Sequence, residues 1–230
     1  MQAFLFTDIE ASTRLWENHP DEMATALASH DAILAGAIAE SRGTVVKTTG
    51  DGVIAVFDSA ADTLRAAIHA QRRLRDQEWG STGPLRVRMG VHAGETSSRD
   101  GDYFGPTMNR TARIMAAGHG GQVLLSAAAA GLADGHLPPG AGLRNLGVHR
   151  LKDLTLPEHL YQLVHDDLDS EFPAPITLDS RPHNLPQQTT EFLGRSNELA
   201  AIQVMLESPT TRLLTIAGPG GAGKTRLGLQ

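Results

Sequence analysis

The chain has 230 residues, a formal net charge of -6 and a hydrophobic content of 40%, enough apolar material for one good-sized domain or two small ones. The negative charge disfavours nucleic-acid binding by this segment, since a polyanion is bound by a basic face. The sequence has no run of about 18 apolar residues and no cysteine, so we expect no membrane span, no disulfide or thiolate metal site, and a protein that fits the reducing cytoplasm.

The first half of the chain alternates short apolar stretches with amphipathic segments. Residues 3–8 are an apolar run that ends in Asp8, which predicts a buried strand that carries this carboxylate to its C-terminal end. Apolar residues recur at helical spacing over 21–40. Residues 44–57 then hold two stretches rich in β-branched and aromatic residues on either side of a Gly-Asp-Gly turn, which predicts a hairpin with Asp51 at its tip.

The same alternation continues up to residue 165. The further elements are a helix over 60–74, a strand over 85–93, a helix over 106–118, a strand over 122–126 and a terminal hairpin over 143–165. The order β, α, β, β, α, β, then α, β predicts an α+β fold of the ferredoxin-like split β-α-β kind, with helices packed on one face of a mainly antiparallel sheet. We therefore assign residues 1–165 to one domain.

The chain changes character after residue 165. Residues 166–190 combine acidic residues with four prolines and lack apolar periodicity, which predicts a linker. The motif GPGGAGKT that follows matches a P-loop, in which backbone N–H groups and the lysine cradle phosphates and the threonine binds Mg²⁺. Its key residues are Gly218, Gly223, Lys224 and Thr225, and residues 212–217 before it predict a strand that leads into the loop. Because about 40 residues cannot bury a core of their own, we interpret 191–230 as the truncated N-terminal part of a P-loop NTPase domain, without activity.

Two carboxylates are candidate metal ligands. By themselves, an Asp at a strand end and an Asp in a Gly-Asp-Gly turn are ordinary turn chemistry. If the first strand pairs beside the hairpin, however, Asp8 and Asp51 reach the same sheet edge, where like charges without internal salt partners repel unless a cation lies between them. Hard oxygen ligands of this kind suit Mg²⁺ or Mn²⁺ bound together with a nucleoside triphosphate.

Two further pairs of polar residues could contact a nucleotide. A lysine donor beside an aspartate acceptor matches the N1 acceptor and N6 donor of adenine, and guanine presents the reverse pattern. Lys47 and Asp102 would supply this pair, although a solvated lysine and a loop carboxylate are the simpler interpretation of each alone. Asn109 and Arg113 stand at i and i+4 on the predicted helix after Pro106, where they project from one face or form only an exposed polar stripe.

Three motifs together resemble the catalytic domain of class III nucleotidyl cyclases, which close ATP or GTP into a cyclic 3′,5′-monophosphate. The motifs are FTDIEAST at 6–13, VKTTGDG at 46–52 and GDYFGPTMNRTAR at 101–113. The resemblance covers about residues 3–165. One position departs from it, since Ala11 stands where the family usually has glycine and its Cβ could crowd the phosphate-binding backbone.

The resemblance implies a function for each of the six candidates. Two metal ions would serve each active site, one lowering the pKa of the attacking ribose 3′-hydroxyl and the other holding the polyphosphate. The implied assignments are Asp8 and Asp51 to the metal ions, Lys47 and Asp102 to the adenine base, Asn109 to the ribose, and Arg113 to the phosphate charge of the transition state. The pair formed by Lys47 and Asp102 predicts that the substrate is ATP and not GTP.

The resemblance also implies a symmetric homodimer with shared active sites, in which Asp8 and Asp51 come from one protomer and the other four residues from its partner. FLGRSNEL at 192–199 and the P-loop resemble the start of a STAND-type signalling ATPase, which in bacterial proteins of this layout often leads to a DNA-binding end. We predict an adenylate cyclase that forms cyclic AMP and pyrophosphate from ATP. A weakly active or inactive module that senses nucleotide and controls an attached ATPase remains open, as does an NTPase with a dimerisation domain that makes no cyclic product.

Overall fold

The computed structural model describes residues 1–99, 101–178, 194–208 and 210–228. The chain divides into two compact units, Met1–Arg181 and Pro182–Gln230. Among the residues described, no helix has the length and apolar character needed to cross a membrane.

The first unit contains nine strands and five α-helices among its described residues. In chain order they are β1 (Gln2–Ile9), α1 (Ser12–Asn18), α2 (Pro20–Glu40), β2 (Thr44–Thr48), β3 (Val53–Phe57), α3 (Ala60–Asp76), β4 (Val87–Gly94), β5 (Ser97–Arg99), β6 (Asp102–Phe104), α4 (Pro106–Ala116), β7 (Val123–Ser126), α5 (Ala127–Ala133), β8 (Ala141–His149) and β9 (Glu158–His165). Every strand and helix that the sequence predicts up to residue 165 is present. The short elements α1, β5, β6 and α5 are additional.

Seven strands form the main sheet, in the order β2-β3-β1-β4-β7-β9-β8. All neighbouring strands are antiparallel except β4 and β7, which are parallel. The remaining two strands, β5 and β6, pair only with each other. The predicted α+β fold with a mainly antiparallel sheet is confirmed.

Different helices cover the two faces of the sheet. Successive residues of a strand point to opposite faces, and in β1 Leu5 packs into a large core with α2, α3 and α5. Phe4 and Phe6 point the other way and pack with Met108 of α4. The prediction that all helices lie on one face was therefore wrong. Helical periodicity identifies the apolar face of a helix but does not tell which side of the sheet that face covers.

Residues 166–178, which we call the strap, run back along the first unit. Leu168 packs against the large core. Further on, the backbone N–H of Ile176 donates to the Ala117 carbonyl at 2.8 Å, and that of Leu178 donates to the Arg150 carbonyl at 2.9 Å. The predicted linker over 166–190 was thus wrong for its first half, because isolated apolar residues and backbone hydrogen bonds fix a segment that has no periodicity. The second half lies outside the described residues.

The second unit is described over 194–208 and 210–228. It contains the helices α6 (Ser196–Glu207) and α7 (Lys224–Leu227). Within these described residues only Leu227 is buried and no strand is formed. The sequence predicts a strand over 212–217, and this prediction was wrong, because an extended segment needs a partner strand to satisfy its backbone groups and none is present in the described part of this unit.

Candidate functional site

The Gly-Asp-Gly turn between β2 and β3 is bonded to β1 on both sides of Asp8. The backbone N–H of Ile9 donates to the Asp51 carbonyl at 3.2 Å. On the other side, the N–H of Val53 donates to the Thr7 hydroxyl at 2.9 Å. Because Thr7 and Ile9 flank Asp8 along the strand, these two bonds bring Asp51 beside Asp8 at one edge of the sheet.

Gly52 allows the turn to approach β1 this closely. A Cβ atom at this position would lie 2.0 Å from the Thr7 carbonyl oxygen, far inside van der Waals contact, and 3.0 Å from the Thr49 hydroxyl. Any larger residue would therefore push the turn away from β1. The glycine that follows Asp51 is a steric requirement of this arrangement as well as a turn residue.

Asp8 already has a partner within the chain. It lies directly opposite Arg88 of β4, whose Nε donates to the Asp8 carboxylate at 2.7 Å and whose Nη2 lies 2.5 Å from the same oxygen. The expectation of two carboxylates without internal salt partners was therefore wrong for Asp8. The sequence analysis did not identify Arg88 as a neighbour of the candidate site. It lies 80 residues further along the chain than Asp8, where it is one polar position of an alternating strand.

The structure brings Lys47 and Asp102 together. The Lys47 ammonium group, on β2, donates to both carboxylate oxygens of Asp102, on β6, at 2.6 and 2.8 Å. Lys47, and after it the backbone N–H of Tyr103, holds the pKa of the Asp102 carboxyl below its usual range. Phe104 lies beside the pair, with its ring centroid 6.0 Å from the Lys47 nitrogen. Both partners are partly exposed, so an incoming ligand can reach them.

Asn109 and Arg113 lie on α4, which begins with Pro106 after Gly105 in a positive-φ conformation. Asn109 is exposed. The Arg113 guanidinium is paired with Asp153, at 2.7 Å between Nη2 and Oδ2. Asp153 lies in the loop between β8 and β9, which local sequence patterns do not connect with α4, and the sequence analysis did not identify it.

Ala11 occupies the position that the family usually fills with glycine. It adopts a left-handed conformation, with φ 57° and ψ 31°, immediately before α1. Residues with a Cβ rarely adopt this conformation because of the clash with the following carbonyl. The preceding Glu10 accepts a hydrogen bond from the Gly120 backbone N–H at 3.1 Å, which ties this loop to the turn before β7.

The P-loop residues lie in the second unit. Lys224 donates to the Pro219 carbonyl at 2.8 Å, and Gly223 precedes α7 with φ 72°. Gly218 and Thr225 belong to the same loop and helix. The helix α7 that follows the loop has only four residues. The phosphate-binding role of the P-loop residues stays a prediction.

Comparisons with known proteins agree on one family. The model of the "Adenylate and Guanylate cyclase catalytic domain" matches residues 2–137. An uncharacterized protein of Mycobacterium tuberculosis is 42% identical over 199 residues, which cover 85% of this chain and 67% of that protein. The adenylate cyclase of Schizosaccharomyces pombe is 34% identical over 150 residues, 54% of this chain but 9% of the yeast enzyme.

Solved cyclase structures share the fold. An adenylate cyclase from Trypanosoma brucei in its monomeric state superposes with a TM-score of 0.70 at 26% identity, covering 76% of this chain and 94% of the trypanosome chain. The adenylyl cyclase CyaB from P. aeruginosa gives a TM-score of 0.62 at 24% identity, over 73% of this chain and 96% of that one. The second likeness shows the fold alone.

Proposed function

Because the chain belongs to the adenylate and guanylate cyclase catalytic domain family, we propose that residues 1–165 are an adenylate cyclase that converts ATP to 3′,5′-cyclic AMP and pyrophosphate. The observation that carries the proposal is the pair of hydrogen bonds that joins the Asp51 turn to β1 on both sides of Asp8. They bring the turn that carries Asp51 beside Asp8, which supports a shared site for the metal ions and the triphosphate at this edge of the sheet.

Asp8 and Asp51 fit Mg²⁺ or Mn²⁺, which we propose bind as two ions per site. Carboxylate oxygens are the ligands that these hard cations prefer. No group of three or more acidic or histidine side chains that could hold a metal occurs in the described part of the chain, so triphosphate oxygens would complete the coordination. When bound, such cations neutralise phosphate charge and lower the pKa of the attacking hydroxyl. Both Arg88 contacts fall on one carboxylate oxygen of Asp8, so the other oxygen could bind a cation while this ion pair persists.

Lys47 and Asp102 would select adenine. In the ligand-free pair the ammonium group satisfies the carboxylate. A base that enters between them replaces this contact with two hydrogen bonds, from Lys47 to the N1 acceptor and from the N6 amino group to Asp102. Guanine presents a donor to Lys47 and an acceptor to Asp102, which leaves both groups unsatisfied. This pattern supports ATP as the substrate over GTP.

Asn109 and Arg113 would act on the reacting end of the nucleotide. The ribose 3′-oxygen attacks the α-phosphorus, the bond from that phosphorus to the bridging oxygen of the β-phosphate breaks, and pyrophosphate leaves as the hydroxyl proton is released. Asn109 would orient the ribose for in-line attack. Arg113 would offset the negative charge that accumulates around the α-phosphorus, a type of electrostatic contribution worth several kcal/mol.

We also propose that the active sites are shared within a homodimer. In a single chain, Arg113 is bonded to its own Asp153 and not to the edge that carries Asp8 and Asp51. A two-fold pair brings different edges of the same fold together, so that Arg113 of one protomer could face the carboxylates of the other. Each dimer would then contain two equivalent sites.

One complementation experiment tests both the activity and the shared site. Asp51→Ala and Arg113→Ala proteins should each form no cyclic AMP from ATP and Mn²⁺, because every site lacks one component. When they are mixed at equal ratio with free subunit exchange, half of the dimers are mixed and each has one intact site of two. Activity should recover to about a quarter of the wild-type value. Full activity of Asp51→Ala would contradict the metal assignment, and no recovery despite demonstrated exchange would contradict the shared site.

A second candidate function is a nucleotide-sensing module with little turnover. The left-handed Ala11 favours it, because a Cβ in this loop could shift the backbone that faces the phosphates. The same assay separates the two functions. A sensing module would bind ATP and form little or no cyclic AMP even as wild type.

A further inference from the structure

Asp153 and Arg113 form an ion pair whose two sides are held by the fold. The guanidinium and the carboxylate are 2.7 Å apart, with side chains 37% and 57% exposed. Asp153 has a φ of 59°, in the left-handed region that Asp and Asn tolerate better than most residues. The carboxylate is therefore presented by a defined turn of the chain and not by a freely moving loop.

The packing around this turn fixes it against α4. Leu151, two residues before Asp153, is buried in a small core that also contains Ile114, the residue after Arg113. Leu154, the residue after Asp153, packs against the same core. The backbones on both sides of the ion pair are thus joined through a common apolar cluster.

The strap adds backbone hydrogen bonds to the same two segments. Its Ile176 N–H donates to the carbonyl of Ala117, and its Leu178 N–H donates to the carbonyl of Arg150. Ala117 follows α4 directly and its own N–H donates to the Arg113 carbonyl at 3.2 Å. Arg150 is the first residue of the loop that carries Asp153. The strap therefore bridges the C-terminal end of α4 and the start of this loop.

We propose that Asp153 is a positioning residue that holds Arg113 in a resting ion pair, which the triphosphate of the substrate must break. This inference rests on the proposed function of Arg113 at the phosphate. A carboxylate at this distance offsets the guanidinium charge that the transition state needs. A triphosphate carries several negative charges and forms bidentate contacts with arginine, so it can displace a single exposed carboxylate. The free energy of nucleotide binding then includes the free energy needed to break the Arg113–Asp153 ion pair.

The test is Asp153→Asn, which keeps the size of the side chain and tolerates the positive φ but removes the charge. Nucleotide affinity is measured with 3′-deoxy-ATP, which lacks the attacking hydroxyl and cannot be cyclised. Affinity for 3′-deoxy-ATP should rise about two- to fivefold, the range that corresponds to a partly exposed ion pair. KM for ATP should fall by the same factor with kcat unchanged, because the substrate-bound state no longer contains the pair.

Glu40→Gln is the matched control. Glu40 pairs with Arg73 at 2.6 Å, with side chains 51% and 43% exposed, between α2 and α3. This substitution makes the same charge change in a comparably exposed pair and should leave the affinity for 3′-deoxy-ATP unaltered. In an Arg113→Ala background, Asp153→Asn should also have no effect, since the pair is already absent.

Two results would overturn the proposal. An unchanged affinity in Asp153→Asn would mean that no pair has to open. A fall in kcat with KM unchanged would mean that Asp153 orients Arg113 for the reaction itself. Failure of the proposed function gives a different result. A wild-type protein that forms no cyclic AMP would refute the proposed cyclase activity. The comparison of 3′-deoxy-ATP affinities would still decide whether nucleotide binding opens the Arg113–Asp153 pair.

Discussion

Replacing Gly52 with alanine should damage both the stability of the fold and the geometry of the carboxylates. The added Cβ would lie 2.0 Å from the Thr7 carbonyl oxygen, and real Cβ contacts are essentially never closer than 3.0 Å, so the turn must retreat by about 1 Å or more. Thr7 cannot yield, because β1 is paired with β3 on one side and β4 on the other. The displacement therefore falls on the turn that carries Asp51.

The cost of this displacement can be built from its parts. Overpacking of a well-packed site costs about 1 to 3 kcal/mol. The bonds from Ile9 to the Asp51 carbonyl and from Val53 to the Thr7 hydroxyl would lengthen or break, at about 0.5 to 1.5 kcal/mol each. We expect the free energy of unfolding to fall by about 2 to 6 kcal/mol, and cyclic AMP formation to fall about 100-fold because a displacement near 1 Å misplaces Asp51.

Gly50→Ala is the control within the same turn. Gly50 has a φ of 86°, and a Cβ there would meet no atom within 4 Å. It should therefore show only the strain of a left-handed residue, about 1 to 2 kcal/mol. Urea unfolding of both variants, with cyclic AMP measured under native conditions, makes the comparison. A loss of stability in Gly52→Ala that is no larger than the loss in Gly50→Ala would refute the steric argument, because only Gly50 has a positive φ.

Three further predictions concern the base, the loop before α1 and a buried histidine. Lys47→Glu combined with Asp102→Cys should lower ATP use more than GTP use, because it reverses the hydrogen-bond pattern at the base edge; an unchanged ATP:GTP ratio of initial rates would contradict this assignment. Ala11→Gly should raise the free energy of unfolding by up to about 1 kcal/mol by relieving the left-handed strain, and a loss of stability in urea would refute it. Burial, and after it the charge of Arg110, lowers the pKa of His92 from 6.5 to about 4, so between these values the unfolded chain binds a proton that the native one does not. Wild-type stability should fall by roughly 3 kcal/mol as the pH drops from 6.5 to 4, and His92→Asn should flatten this slope in acid titrations of unfolding; an unaltered slope would show that another group is responsible.

Local patterns predicted the elements that carry the candidate site. The strand that ends in Asp8 and the hairpin around Asp51 follow from a short apolar run and a Gly-Asp-Gly turn, both of which act over a few residues. The roles of Lys47 and Asp102 came from chemical complementarity and a family resemblance, and the structure places these two side chains in contact. Their contact with a nucleotide stays a prediction.

The features that the sequence analysis did not predict all depend on contacts between segments that are distant in the chain. Arg88 meets Asp8 only because β1 and β4 pair in one particular register, and a slip of a single residue would turn Arg88 to the other face. Asp153 reaches Arg113 through a loop that packs on α4. The strap lacks periodicity and is fixed by backbone hydrogen bonds, which composition does not reveal. The register of the strands and the packing of the loops depend on the whole fold, so they cannot be predicted from any short stretch of sequence.

The central position of β1 in the sheet has a consequence for folding during synthesis on the ribosome. β1 precedes both of its neighbours, β3 and β4, in the chain, so its second edge stays unpaired until the Val87–Gly94 segment has been synthesised. Nascent chains that stall before this point would expose an apolar strand with free backbone groups, which is a template for aggregation. The segment that ends in Asp8 is thus made before either of the two strands that enclose it.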